Sequence, residues 1–346
     1  MTQPIGVTYA SLPSLGITGA PEVARRAESL GYSSFWVAET TGAEAFSHLA
    51  LAGEAAPSLS LGTGVLALQL RDPMLTAMSG ATLQAAHPEN DVFLGVGISS
   101  HVVTGRWHGV PYGERPLARV REFVTVLREC LSGEAVSHQG DFYELSRSQL
   151  GVRMGDKRPQ IVIGALNEGM LRLAGELCDG VLLNYLPATL VPWCVERVRE
   201  GEARAGRAAG SCTIHAYVHL GLVNREAGIE YARRDLFSYA VVDAYAKAFE
   251  KAGYGDSVRA VREAHANKDR EGAVAAISDE MVDGIDIMGD ADGIAAAMKA
   301  YIDAGVESPV VMPLPWGKDR MGVVQATLEA ARAGAERPSE RETGVS

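Results

Sequence analysis

The sequence predicts an α/β protein that folds as a single (β/α)8 barrel, also called a TIM barrel. Short apolar runs alternate with helical patterns from one end of the chain to the other, and eight such runs are each followed by a helix. The length agrees, because 346 residues accommodate one barrel of about 250 residues with insertions. A doubly wound sheet would need only about five or six strands.

The predicted strands are short apolar runs bounded by turn residues. They cover residues 5–9, 34–38, 59–68, 92–97, 160–164, 180–184, 213–223 and 309–314. A short hairpin arm is predicted at residues 140–145, between the fourth and fifth strands.

The segments between the strands show the 3.6-residue period of helices that bury one face. The first helix is predicted to begin at Pro21, and Asp72 is predicted to cap the third helix ahead of Pro73. Residues 99–115 have no periodicity and are predicted to form a long loop at the barrel mouth. The polar helical stretch 225–283 is too long for one crossover, so it is predicted to be an insertion of two or more helices before the last strand.

Composition limits the classes of partner. No low-complexity linker divides the chain, so one domain is predicted over residues 1–336, with a disordered tail at 337–346. No basic leader and no apolar run of about 18 residues occurs, so we expect a cytoplasmic protein without membrane contact. The net charge of −11 without a basic patch argues against a nucleic-acid partner.

No metal site is predicted. The cysteines contain no C-x-x-C pair, which makes them candidates for small buried apolar residues: Cys130, Cys178, Cys194 and Cys212. His215 and His219 share one face of the seventh strand, but their spacing of about 13 Å is too long for one metal ion. The first strand also lacks the histidines of barrel metallohydrolases.

Two glycine-containing turns follow strands where a barrel has its active site, at the carboxyl ends. They are Gly97-Ile98-Ser99-Ser100 after the fourth strand and Gly164 to Gly169 after the fifth. Glycine lets backbone N–H groups approach an anion. The nucleophile-elbow motif G-x-S-x-G and the Rossmann motif G-x-G-x-x-G do not occur. The two turns together therefore predict a ligand with a phosphate group and a flat apolar body.

Several stretches together resemble the bacterial luciferase-like superfamily of flavin- and deazaflavin-dependent oxidoreductases. They are residues 34–39, 61–65, 93–100, 107–109, 115–119, 159–166 and 174–180. The forms Ile98-Ser99-Ser100 and Ala165-Leu166 are most similar to members that use the deazaflavin coenzyme F420, with FMN-dependent monooxygenases as the alternative. The resemblance implies hydride transfer between F420 and a small organic substrate, and a homodimer. A cofactor-binding relative without activity is a third possibility.

The resemblance also implies which residues bind the cofactor. It places a cis peptide bond at Gly64–Val65, against which the ring would rest, with Glu39 and Thr40 beside the ring. The turn that would hold the phosphate consists of Gly164, Ala165, Leu166, Asn167, Glu168 and Gly169. The remaining residues of the implied cofactor site are Gly97, Ile98, Ser99 and Ser100.

The catalytic candidates are Glu39, Thr40 and His101, with His108 as a further residue for proton transfer. Some relatives carry histidine at the position of Thr40 and glutamate at that of Leu12, so the general acid is open. Threonine donates hydrogen bonds but cannot deliver a proton near neutral pH. A carboxyl group in an apolar barrel mouth can act as an acid, so Glu39 either does so or holds the cofactor by hydrogen bonds.

Overall fold

The computed structural model describes residues 3–336, so the predicted disorder of residues 337–346 lies outside the described residues. The strands are β1 (Gly6–Thr8), β2 (Ser34–Val37), β3 (Ser60–Thr63), β4 (Leu66–Ala67), β5 (Val92–Gly97), β6 (Val136–Gln139), β7 (Glu144–Ser148), β8 (Gln160–Gly164), β9 (Gly180–Leu183), β10 (Thr213–Gly221), β11 (Asp286–Met288) and β12 (Ser308–Pro313).

Eight parallel strands close into a barrel, which confirms the predicted (β/α)8 fold. Their order is β1-β2-β3-β5-β8-β9-β10-β12, and β12 pairs with β1 through Val310 and Val311. The short β4 extends the third strand and pairs with β5, and β6 and β7 form a separate antiparallel hairpin.

Helices surround the barrel and cover its outer face. They are α1 (Gly19–Ser29), α2 (Ala45–Ala55), α3 (Pro73–Ala86), α4 (Pro116–Leu131), α5 (Glu168–Leu177), α6 (Val191–Arg204), α7 (Arg225–Ala240), α8 (Asp243–Phe249), α9 (Gly255–Ala266), α10 (Arg270–Ala275), α11 (Asp279–Ile285), α12 (Ala291–Asp303) and α13 (Arg320–Gly334). None of those within residues 3–336 is long and apolar enough to cross a membrane.

Side chains inside the barrel alternate with side chains that face the helices. Trp36, Val162, Leu182, Tyr217 and Val310 form a buried cluster within the barrel. Their neighbours in sequence belong to the larger core between strands and helices. This alternation, with a period of two residues, places the side chains of His215 and His219 on the same inner face as Tyr217.

The predicted insertion forms a helical lobe with its own core. Helices α7 to α11 bury Leu236, Phe249, Val258 and Met281 against one another. The chain then returns to the barrel through β11, which pairs only with β10 in the described sheet. Strand β11 was not predicted because three residues have no measurable periodicity. Helix α12 was not predicted either, although Asp290 caps it.

Four local predictions differ from the structure. The third strand is not continuous over residues 59–68, because the chain breaks it between β3 and β4 at Gly64 and Val65. The segment 99–115 is not all loop, since Val102–Trp107 forms a wide helical turn. Helix α1 begins at Gly19 rather than at Pro21. The hairpin arm is longer than predicted and turns within residues 140–143.

Candidate active site at the barrel mouth

A bulge between β3 and β4 narrows the barrel mouth. The peptide bond between Gly64 and Val65 is cis, as the resemblance implied. The Tyr217 hydroxyl donates a hydrogen bond of 2.9 Å to the Gly64 carbonyl and lies 3.2 Å from Thr8 Oγ1. The inner face of β10 therefore supports the bulge from below.

Val65 explains two of the glycines. A Cβ on Gly97 would lie 3.0 Å from Val65 Cγ2, and a Cβ on Gly164 would lie 3.4 Å from the same atom. Glycine at the ends of β5 and β8 thus leaves room for the valine side chain. This packing reason was missed by the sequence analysis, which considered these glycines only as partners of an anion.

Gln69 lies beside the bulge and holds an unsatisfied donor. It is 6% exposed, and its Oε1 accepts a hydrogen bond of 3.2 Å from the backbone N–H of Ser99. Its Nε2 is buried and has no partner within residues 3–336. An unsatisfied buried donor costs about 1–3 kcal/mol, so a ligand oxygen at this place would be favoured. In the sequence, only its place directly after the predicted third strand, at the carboxyl end, indicates this residue.

The loop after β5 is held by its own hydrogen bonds. Ser100 Oγ accepts from the N–H of Val103 at 3.2 Å and so caps the turn that follows. The exposed ring of His101 stacks on Tyr112 with centroids 3.7 Å apart. His108 Nε2 donates to the carbonyl of Thr40 at 2.6 Å. This last hydrogen bond ties the loop to the backbone that follows β2. The side chain of Ile98, at the start of the loop, packs against the core.

Glu39 is an acceptor of several hydrogen bonds. Arg71 contacts both carboxylate oxygens, at 3.3 Å from Nε and at 3.1 Å from the terminal nitrogen. The N–H of Ala45, at the start of α2, lies 3.3 Å from Oε1. Arg71 also pairs with Glu44 at 2.7 Å. Since both oxygens of Glu39 accept, its geometry favours a positioning role over that of an acid.

The turn after β8 presents the start of α5. Asn167 caps this helix by accepting from the N–H of Met170 at 3.0 Å. As at any helix start, the N–H groups of Glu168 and Gly169 have no acceptor within the helix. The Glu168 side chain pairs instead with Arg172 on α5 and Arg197 on α6. The N–H of Ala165 is used by the barrel, since it donates to Leu182 at 3.3 Å.

A polar cluster lies on the opposite side of the mouth, where the lobe meets the barrel. His219 Nδ1 lies 2.8 Å from Asp286 Oδ1, and its Nε2 lies 2.8 Å from Asn184 Oδ1. The Tyr185 hydroxyl donates to Asp235 at 2.9 Å. Of this cluster, only His219 was singled out from the sequence, because its partners follow β9 or lie on α7 and β11 and only the fold brings them together.

Burial shifts the pKa values of this cluster towards the neutral forms. It lowers the pKa of His219 to about 4 and raises the pKa of Asp286 well above its usual value. Burial is the main cause that raises the pKa of Asp235 to about 7. The carboxyl groups of this cluster can therefore hold protons at neutral pH.

Known proteins with the same fold have related sequences. The chain is 30% identical over 305 residues to the 5,10-methylenetetrahydromethanopterin reductase of Archaeoglobus fulgidus, covering 86% of this chain and 90% of that protein. It is 27% identical to a Mycobacterium tuberculosis protein provisionally assigned as a coenzyme F420-dependent oxidoreductase, covering 84% and 89% of the two chains.

A solved structure shows the same architecture. The coenzyme F420-dependent tetrahydromethanopterin reductase of Methanopyrus kandleri superposes with a TM-score of 0.80 at 22% identity, over 96% of this chain and 98% of that one. The sequence model of the luciferase-like monooxygenases matches residues 4–308. With the closed barrel and the bulge at its mouth, this match shows that the chain belongs to the luciferase-like monooxygenase family.

Proposed function

We propose that this protein is an F420-dependent oxidoreductase that transfers a hydride between the cofactor and a small organic substrate. The relatives named above support the cofactor. The observation that carries the proposal is the bulge at Gly64 and Val65 beside the unsatisfied donor of Gln69. An apolar platform next to one buried N–H donor suits a flat heterocycle with a ring carbonyl.

The residues at the mouth fit such a cofactor in two further respects. The start of α5 offers the N–H groups of Glu168 and Gly169, and a helix N-terminus favours a phosphate group. The N–H of Ser99 is bound to Gln69, so the loop after β5 borders the ring end of this site. Val65 and Gln69 would hold the ring, and the turn that ends at Gly169 would hold the phosphate.

The chain's own residues bind and orient, while the cofactor supplies the two-electron chemistry when bound. Arg71 is held by Glu39 and Glu44 and so fixes the end of β2 against α2 and α3. The loop that contains His108 is tied to the carbonyl of Thr40 and covers one side of the mouth. These contacts position the substrate and limit the access of water.

Binding is tested by titrating the purified chain with F420 and, separately, with FMN while the cofactor fluorescence is recorded. We expect saturable quenching by F420 and weaker binding of FMN. Gln69→Leu should weaken F420 binding about tenfold, because the loss of one buried hydrogen bond costs about 1.4 kcal/mol of binding free energy. Gln149→Leu changes an exposed glutamine that bonds Gly133, and should leave binding unchanged.

Hydride transfer is tested with reduced F420 that carries deuterium at C5, offered with a panel of small ketones, imines and enones. Deuterium in the product supports the proposal. Tight FMN binding without F420 binding would favour an FMN-dependent monooxygenase instead. Tight F420 binding without turnover of any panel member would favour a cofactor-binding protein that lacks activity.

A further inference from the structure

The strongest unassigned feature is the polar cluster where the lobe meets the mouth, formed by His219, Asp235, Asp286, Tyr185 and Asn184. His219 and Asp286 are 1% and 0% exposed, whereas Asp235 is partly exposed. A ring nitrogen of His219 and one carboxyl oxygen each of Asp235 and Asp286 lie within 4.8 Å of one another. The cluster thus connects the barrel interior to the mouth through Asp235.

Hydrogen bonding fixes where one proton of His219 resides. Asn184 Oδ1 accepts from the backbone N–H of Tyr185 at 2.9 Å, so this atom is the oxygen of the amide. Nε2 of His219 must therefore donate to it across 2.8 Å. On the other side of the ring, the contact of 2.8 Å between Nδ1 and Asp286 requires one shared proton.

Charge places that shared proton on Asp286. No lysine or arginine within residues 3–336 pairs with Asp235 or Asp286, and buried carboxylates without such a partner are strongly disfavoured. A protonated Asp286 that donates to a neutral His219 leaves the buried pair uncharged. Its Oδ2 has no partner within the described chain, which agrees with a carboxylic acid rather than a carboxylate.

Asp235 differs because it is partly exposed and bonds Tyr185, which follows the carboxyl end of β9. The groups that face it are His219 on β10, Asp286 on β11, Tyr185 after β9 and Tyr239 on its own helix, and no cation is among them. The rings of Tyr239 and Tyr245 pack against Tyr185 with centroids 3.7 and 5.7 Å away. This aromatic wall keeps Asp235 in apolar surroundings while its edge stays open to the mouth.

Of the other acidic and basic candidates at the mouth, Glu39 and His108 already use hydrogen-bonding atoms, and His101 is exposed. Both oxygens of Glu39 accept from Arg71. His108 Nε2 donates to Thr40, whose side chain cannot deliver a proton. His101 is exposed and stacked on Tyr112.

We propose that Asp235 is the general acid of the reaction, that the Tyr185 hydroxyl positions it, and that its burial beside the uncharged His219–Asp286 pair keeps it protonated. The acid role rests on the proposed hydride transfer. As a hydride adds to the carbon of a C=O or C=N bond, the oxygen or nitrogen receives the electron pair of that bond. The O–H bond of Asp235 breaks, the new O–H or N–H bond forms, and the carboxylate recovers its proton from water.

The protonation state is tested on the full chain without cofactor, by infrared difference spectroscopy between about pH 5.5 and pH 8.5. We expect a carboxylic-acid carbonyl band that disappears with a midpoint near neutral pH. Asp235→Asn should abolish this band, and Glu226→Gln, an exposed change on the same helix, should retain it. A band that survives Asp235→Asn, or no band at all, would overturn the assignment.

The acid role is tested by pH profiles of kcat with reduced F420 and the best panel substrate. Asp235→Asn should lower kcat about 100-fold and remove the fall in activity above neutral pH, with F420 affinity within about twofold of the original. Tyr185→Phe removes a hydrogen bond that lowers the pKa of Asp235, so the profile should shift to higher pH with activity retained. A purely structural role would not move the profile.

The outcomes separate this proposal from the function on which it rests. Turnover by Asp235→Asn with an unchanged profile overturns the acid role and leaves the oxidoreductase in place. Absence of F420 binding and turnover in the original chain overturns the function and the acid role, while the infrared bands still decide the protonation of the cluster. One equivalent of a divalent metal that co-purifies and is lost in Asp286→Asn would show a cation site instead.

Discussion

The carbonyl of Gly64 accepts a hydrogen bond from Tyr217 within the barrel, and there is no room for a side chain at this residue. A Cβ on Gly64 would lie 1.9 Å from the Tyr217 hydroxyl oxygen. Gly64→Ala should therefore destabilise the fold by about 1–3 kcal/mol, the usual cost of overpacking. Thermal unfolding measures it, with Gly42→Ala as the matched control, since nothing lies within 4 Å of that Cβ. Equal melting temperatures would contradict the steric argument.

His215 predicts a dependence of stability on pH. It lies inside the barrel between Trp36 and Phe93, and burial lowers its pKa to about 4. Because the unfolded chain binds a proton at a higher pH than the folded one, this histidine contributes stability above about pH 6.5 that is lost as the pH falls towards 4. His215→Phe should reduce the loss of unfolding free energy between pH 7 and pH 5 in urea titrations. An identical pH slope in both proteins would argue against a buried neutral imidazole.

At the residue scale, local patterns predicted little of the candidate site. Gly64 and Val65 were placed only through the resemblance, because the contact of Val65 with Gly97 and Gly164 joins three strands that are distant in sequence. The unsatisfied amide of Gln69 depends on what surrounds it in space. By contrast, the cysteines were predicted correctly as buried, because small apolar residues without a C-x-x-C pair have few other roles.

At the scale of elements, α5 and α6 pack backbone to backbone. A Cβ on Gly175 would lie 2.0 Å from the Val198 carbonyl oxygen, and a Cβ on Gly201 would lie 2.0 Å from that of Arg172. Gly201→Ala should push the helices apart, lower the melting temperature by several degrees and weaken F420 binding, because α5 carries the proposed phosphate site. Calorimetry and fluorescence titration measure the two effects. Gly151→Ala, in open space, is the control, and a stable variant with weakened binding would show that the two effects are separate.

The sequence predicted long elements better than short ones. Strands β5 and β8 have the predicted bounds, since each is a continuous apolar run that ends in glycine. The break between β3 and β4 and the strand β11 were missed because both are defined by pairing with other strands. Periodicity detects which face of an element is buried, but it does not detect a partner that lies 67 residues away, as His219 and Asp286 do.

At the scale of the molecule, we predict that the protein is a homodimer that associates through α2 and α3. Leu51, Leu75 and Met78 on these adjacent helices are 49, 42 and 47% exposed. A cluster of large apolar side chains at a surface favours a protein partner. Leu75→Glu with Met78→Glu should give a monomer in light scattering coupled to gel filtration, whereas Leu117→Glu on α4 should remain a dimer. A monomeric original chain would refute the prediction.

The lobe leaves and re-enters the barrel at nearly the same point. The N–H of Gly289 donates to the carbonyl of Gly221 at 3.2 Å, so the two ends of the insertion are joined by a backbone hydrogen bond. An insertion whose two ends lie next to each other can be removed or exchanged without opening the barrel. Asp235 on α7 and Asp286 on β11 both lie between Gly221 and Gly289, so exchange of that whole segment would replace the proposed acid and the neighbouring Asp286 together. Such an exchange would change the proposed proton donor and leave Val65, Gln69 and the start of α5, on the cofactor side of the mouth, in place.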